Sequence, residues 1–326
     1  MEDSNPNKRR RGGQRQRVQQ NEVENDPGTS SLFSFLMNMF AWGMFSPQQV
    51  QIIARLACED MEKISNGAEF KDLKVLANLG AAGACSNNMH RDLMQKFGSI
   101  SKLPESFKSD IVFKTGTHQQ EFLLPHEMFA TFYAEYPNHW QQELVPSSEV
   151  LQEFWFAMRE HPQMANHPLK ARANFEVLAV PIGLHGDGVP ITGRGKSWCK
   201  TMTTFSWSSL CAKGSTKTNR VWIWGVFDAL CQKNEIDGTL HQFFSILKWS
   251  LEWLWKGLWP DKPFNSDLPY PAGSEAKNKA LTPLAGGHFG VLWGILGDLD
   301  YMASVLGLPH YGNATNPCAQ IHSWLD

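Results

Sequence analysis

The sequence lacks most of the signals that assign a protein quickly. Its six cysteines, Cys58, Cys85, Cys199, Cys211, Cys231 and Cys318, include no C-x-x-C pair. Thiols scattered in this way give no disulfide framework and are expected to stay reduced. It lacks an excess of either charge, with a net charge of -2, so no global field draws the chain to nucleic acid or membrane. Its N-terminus is polar, so no secretory signal is expected, and the Asn313-Ala314-Thr315 sequon carries no meaning. No segment is fit to cross a membrane. Leu32 to Phe45 is apolar for only 14 residues, where spanning takes about 20. Gln242 to Trp259 is longer, but Lys248, Glu252 and Lys256 recur every four residues. That pattern is a charged stripe on an otherwise buried helix. A phosphate loop is also absent. In Gly193-Arg194-Gly195-Lys196-Ser197, Gly188 precedes Lys196 by eight residues, whereas a nucleotide-binding loop of the G-x-x-x-x-G-K-[ST] type has that glycine about six before the lysine. No Ser-His-Asp or Cys-His arrangement has motif support.

What is present is a globular composition, 326 residues with 42% apolar and 19% charged, enough for a sizeable core in about two domains. The charge is unevenly placed. Residues 1–30 hold six of the 30 basic residues, all in the acid-free block Lys8, Arg9, Arg10, Arg11, Arg15 and Arg17. That segment has no aromatic residue and is expected to be a disordered basic tail. Such a block serves as a nuclear import signal or as a phosphate-contacting arm, and otherwise as a solvated charge run. Residues 31–170 read as a mostly helical region. Ser46-Pro47 starts one helix, Gly80 stops another, Ser86 caps a third, and helices follow over about 126–135 and 147–160. A short hairpin is expected around Thr115-Gly116.

Residues 171–326 change character. Apolar or Thr- and aromatic-rich runs over 176–186, 198–210 and 220–230 read as strands. A Trp-rich helix follows, from about Leu240 to Leu258, and then a buried run at 289–297. The order is β–β–β–α–β–α, with Asp187 ending the first strand and Asp298 the fourth. The expected fold class is α+β, with an incomplete RNase H-like mixed sheet preceded by the helical region. In that arrangement the first and fourth strands are parallel neighbours joined by the helical crossover. Their carboxylates then face one crevice, where a hard cation, Mg²⁺ or Mn²⁺, would serve phosphodiester chemistry. The competing reading makes Asp187 a turn residue and Asp298 a helix cap. Eight of the 13 tryptophans lie between Trp198 and Trp259. Their spacing marks them as core before base-stacking groups. Arg194 and Lys196 are candidates for contact with a nucleic-acid backbone beside Asp187.

The segments HGDGVPITGRGKSW and LAGGHFGVLWGILGDLDYMASVLGLPHY carry a resemblance. Over about residues 120–326 the chain resembles a multicopy group of uncharacterised dinoflagellate proteins. Over about 175–326 it is distantly similar to the catalytic cores of Kyakuja–Dileera–Zisupton and CACTA-type transposases. The resemblance implies Asp187, the Gly297-Asp298-Leu299 step, the Leu308-Pro309-His310 turn and a knuckle at Cys318 as counterparts of that core. It implies a mobile-element origin, a DNA partner and metal-dependent strand cleavage and transfer. The family's second knuckle cysteine is replaced by Ile321, and His310, Cys318 and His322 make a poor zinc set, so zinc is not expected. No Glu follows Glu275, and Asp298 stands 28 residues from the last residue, Asp326. A third carboxylate is therefore missing, and the core is expected to be truncated and inactive alone. The alternative is a non-catalytic nuclear protein that binds nucleic acid or a partner through its basic arm. Neither reading fixes the oligomeric state.

Overall fold

A computed structural model describes residues 30–64, 71–80, 86–192, 200–233, 237–298, 301–302 and 305–306. The basic tail with Lys8, Arg9, Arg10 and Arg11, the Arg194–Lys196 turn, and His310, Cys318 and His322 lie outside the described residues. The chain forms two compact units, residues 1–101 and 102–326.

The first unit is helical: α1 (Ser31–Ala41), α2 (Pro47–Ile64), α3 (Lys71–Ala77) and α4 (Ser86–Ile100). Ser30 caps α1 by accepting from the Phe33 N–H at 3.1 Å. Ser46 and Gln49 bond reciprocally at the start of α2, at 2.8 and 3.3 Å, which is a capping box. Leu79 precedes Gly80 at φ 75°, a left-handed stop that only glycine adopts without cost. Phe33, Leu36, Val50, Ala54, Leu73, Leu76 and Leu93 are buried together. The apolar run from Leu32 is thus one layer of a small helical core. Among the described residues, no helix of the chain is long and apolar enough to cross a membrane.

The second unit is mixed α/β. It opens with a hairpin of β1 (Phe107–Phe113) and β2 (Gly116–Phe122), then α5 (Pro125–Glu135) and α6 (Ser148–Met158). A four-stranded sheet follows, made of β3 (Ala179–Thr192), β4 (Lys200–Ser209), β5 (Val221–Phe227) and β6 (Phe289–Leu296). The helix α7 (Thr239–Lys256) crosses between β5 and β6. The strand order is β5-β4-β3-β6. β3 pairs antiparallel with β4, β4 antiparallel with β5, and β3 parallel with β6. This is the order and polarity expected from the sequence.

Two expectations are corrected. The helices and hairpin of residues 102–170 do not belong with the first unit. Leu123 N donates to Ile223 O at 3.0 Å and Lys114 N to Leu230 O at 3.0 Å, so the hairpin docks on the β5 end of the sheet. The Trp155 indole N–H of α6 donates to Ala179 O at 2.9 Å. These elements cover apolar sheet surface that the strands cannot bury alone, so the unit boundary falls at 101/102 rather than at 170. The second correction concerns Asp187. β3 does not end there but runs on to Thr192, because β4 continues to pair with it out to Lys200. Only the parallel pairing stops near Asp187, with His185 opposite Leu296 as its last pair.

One face of the sheet packs on α7. Ile182, Leu184, Phe205, Trp207 and Trp224 meet Phe243, Ile246, Leu247 and Leu254 there. Lys248 and Glu252 line the exposed side of α7 with their charged ends 3.9 Å apart, as the stripe in the sequence implied. The helix stops at Gly257, at φ 72°. On the opposite face, Ala179, Phe289, Val291 and Trp293 pack on Trp155, Met164 and Leu169. That cover spans the end of the sheet where β3 and β6 begin. Toward the end where they finish, Leu296 and Trp222 are exposed.

Buried polar groups in this unit are mostly accounted for. His126 is fully buried with Nδ1 2.8 Å from Ser250 Oγ, and burial holds its pKa down at about 3. It is a neutral core histidine. Cys211 and Cys231 are free, buried thiols, pushed by burial up to about 11. They are protonated and unreactive.

Candidate functional site

The site is built by register. His185 of β3 is opposite Leu296 of β6 in the last parallel pair. Two residues further along β3 stands Asp187, and two residues past the end of β6 stands Asp298. Side chains alternate across a strand, so Asp187 shares the face of His185. Neighbouring strands lie about 4.8 Å apart. The two chains stay adjacent beyond the last pair, because a Cβ on Gly297 would come within 2.9 Å of Gly186 O. Asp187 and Asp298 are thus both brought to the end of the parallel pairing, beside His185. The imidazole of His185 registers both. Its pKa is lowered by burial first and by the Arg220 guanidinium second, while Asp187 and Asp298 each push it up.

The glycine before each aspartate has a structural reason. Gly186 and Gly297 lie on the α7 side of their strands, and the Tyr301 ring lies across both. A Cβ on Gly186 would overlap the ring, and one on Gly297 would come within 2.5 Å of Tyr301 Cδ1. Tyr301 is buried and touches Phe205 edge-on at 6.3 Å between centroids. Burial pushes its phenol up to about 12, and among the described residues its hydroxyl has no hydrogen-bond partner. The ring pins the chain after β6 under the end of the sheet.

That anchoring fixes Asp298. Its Oδ1 accepts the Tyr301 N–H at 2.7 Å, and its carbonyl accepts the Met302 N–H at 3.1 Å. Asp298 is therefore a helix cap through one oxygen, as the competing reading proposed, and the residue is exposed. Asp187 is not a turn residue. It lies within β3 opposite Thr204, whose hydroxyl donates to the Asp187 carbonyl at 3.2 Å. Among the described residues nothing hydrogen-bonds the Asp187 carboxylate. The aspartates offer one free carboxylate and one half-free carboxylate at the end of the parallel pairing.

Among the described residues no three His, Cys, Asp or Glu side chains are placed to hold a metal ion. Asp228 is committed elsewhere, since its Oδ1 accepts from Thr203 N at 3.2 Å and Thr203 Oγ1 at 2.5 Å. Asp300 lies outside the described residues. The donor set suits one hard cation with water completing its shell. It does not suit a clamp of two ions about 4 Å apart.

Three neighbours of the carboxylates went unassigned in the sequence: His185, Arg220 and Trp222. His185 was legible only as a residue two before Asp187. Trp222 sits on β5, two strands away, where only the register brings it to the face of His185, and Arg220 stands just before β5. A larger groove of about 750 Å³, lined by Trp155, Phe156, Arg159, Lys170 and Phe175 among others, holds none of the candidate residues. Comparison with protein-family models, with curated proteins and with solved structures gives no match for this chain.

Proposed function

We propose that the second unit is a mobile-element-derived, RNase H-like core whose ancestral chemistry is metal-dependent cleavage and transfer of DNA strands. The observation that supports this is the placement of Asp187 and Asp298 just beyond the last parallel pair of β3 and β6, both beside His185. A bound Mg²⁺ or Mn²⁺ would supply charge neutralisation at a phosphodiester oxygen and a more acidic water. Asp187 and Asp298 would hold that ion. Tyr301 and the two glycines hold Asp298 in place beside Asp187. With only two acids there among the described residues, the site lacks the oxygens for a second ion, so the chain acts slowly or not at all on its own.

Calorimetric titration with Mn²⁺ tests this. The wild-type chain is expected to bind one ion weakly. Asp187→Asn and Asp298→Asn are each expected to abolish that binding, because each removes a charge from the same ion. Binding that persists unchanged in both variants would leave the aspartates as a strand residue and a cap. The second reading would then stand: a non-catalytic nuclear protein that binds nucleic acid through Lys8, Arg9, Arg10 and Arg11. Rapid DNA cleavage by the wild-type chain would instead show that a third acid completes the site.

A further inference from the structure

Trp222 is the exception among the sheet tryptophans. Trp207, Trp224 and Trp293 are buried, but Trp222 is 43% exposed. No other aromatic ring among the described residues packs against it. Its indole reaches over Gly225, where a Cβ would come within 2.6 Å of Cη2 and 2.8 Å of Cζ2 and would overlap Met202 Cε. The absent side chain at Gly225 leaves room for the ring over the strand.

The register places this ring in line with the carboxylates. Gly225 is opposite Thr204, and Thr204 is opposite Asp187. Trp222 itself is opposite Ser206, which is opposite His185. Directly opposed residues project from the same face, so Trp222 shares the face of His185 and Asp187. Two strand spacings, about 10 Å, separate β5 from β3. Arg220 stands two residues before Trp222, exposed and with no ion pair or hydrogen bond among the described residues. It lies close enough to His185 to oppose protonation of that ring. One open sheet face therefore carries an exposed indole, the hydroxyls of Ser206 and Thr204, and Asp187, with an unpaired guanidinium just before β5.

We propose that this face is a binding strip for single-stranded nucleic acid, with a base stacked on Trp222 and a backbone phosphate held by Arg220. An aromatic face accepts any unpaired base, and a free guanidinium matches a phosphate. A duplex keeps its bases stacked and offers only their edges in the grooves, so an exposed indole on a sheet favours an unpaired strand. The strip leads to Asp187 and Asp298, and in that respect the proposal builds on the metal-dependent reading above. Binding at Trp222 itself needs no metal, so the two can fail separately.

The test is fluorescence anisotropy with a labelled oligo(dT) in EDTA. The protein is the full chain carrying Ala at Lys8, Arg9, Arg10 and Arg11, so that the tail does not mask the sheet. Trp222→Ala is expected to weaken binding about tenfold to a hundredfold, the usual loss of one stacked base. Trp222→Phe is expected to recover most of it. Arg220→Ala is expected to weaken binding and to flatten the log K against log salt slope by about 0.7, the loss of one phosphate contact. Arg159→Ala, on the groove that holds none of the candidate residues, is expected to bind oligo(dT) as its parent does. Circular dichroism establishes that each variant is folded. Oligo(dT) binding unchanged in folded Trp222→Ala would overturn the proposal. So would equal affinity for a duplex of the same length.

Discussion

Phe243→Ala is expected to destabilise the second unit by about 3–5 kcal/mol, the usual cost of emptying an aromatic site in a packed core. Phe243 is 1% exposed. Its ring centroid lies 4.4 Å from that of Phe205, 4.8 Å from Trp224 and 6.1 Å from Phe122. These rings come from α7, β4, β5 and the β1–β2 hairpin, so one residue joins four elements. Their interlock leaves little room to collapse into the vacated volume, which puts the cost at the high end of the range. Chemical denaturation of the full chain measures it. A loss below about 1 kcal/mol would mean that the aromatic cluster is not the centre of this unit. The first unit has its own core and is expected to keep its transition.

Gly186→Ala is the second large effect, expected at about 2–4 kcal/mol. The new methyl group overlaps the Tyr301 ring, and a ring this well enclosed cannot give way without leaving its site. Displacing Tyr301 also withdraws the N–H that holds Asp298 Oδ1. The variant is therefore expected to lose Mn²⁺ binding although both aspartates remain. A double-mutant cycle separates this from a generic loss of stability. Gly186→Ala combined with Tyr301→Ala is expected to be no less stable than Tyr301→Ala alone, because the overlap has gone. Tyr301→Phe is expected to be neutral or stabilising by about 1 kcal/mol, since the hydroxyl it removes is buried without a partner among the described residues. Additive losses in the cycle would show that Gly186 and Tyr301 do not meet.

Much of this arrangement is legible in the sequence, and the rest is hidden for identifiable reasons. The four strands and the crossover helix follow from runs of β-branched and aromatic residues and from the stripe at Lys248, Glu252 and Lys256. The side-by-side placement of Asp187 and Asp298 follows from that element order. The boundary at 170 does not hold, because the periodicity of residues 126–135 and 147–160 shows that helices have an apolar face and not what that face meets. The reason for Gly186 and Gly297 shows only when Tyr301 is seen lying across both. Trp222 is hidden by a register shift. Residues 222 and 224 should share a face by simple alternation. The pairing slips between Phe205 and Ser206, so Ile223 adds a residue to β5. Trp224 then turns into the core and Trp222 out of it.

The most direct test of the shared site uses Mn²⁺ as a paramagnetic probe of His185, the imidazole beside both aspartates. In a chain with labelled histidines, substoichiometric Mn²⁺ is expected to broaden the His185 signals before those of His126, which lies in the core against Ser250. Asp187→Asn and Asp298→Asn are each expected to abolish that selective broadening. If His185 stays sharp while other histidines broaden, or if it broadens equally in both variants, Asp187 and Asp298 do not share a cation.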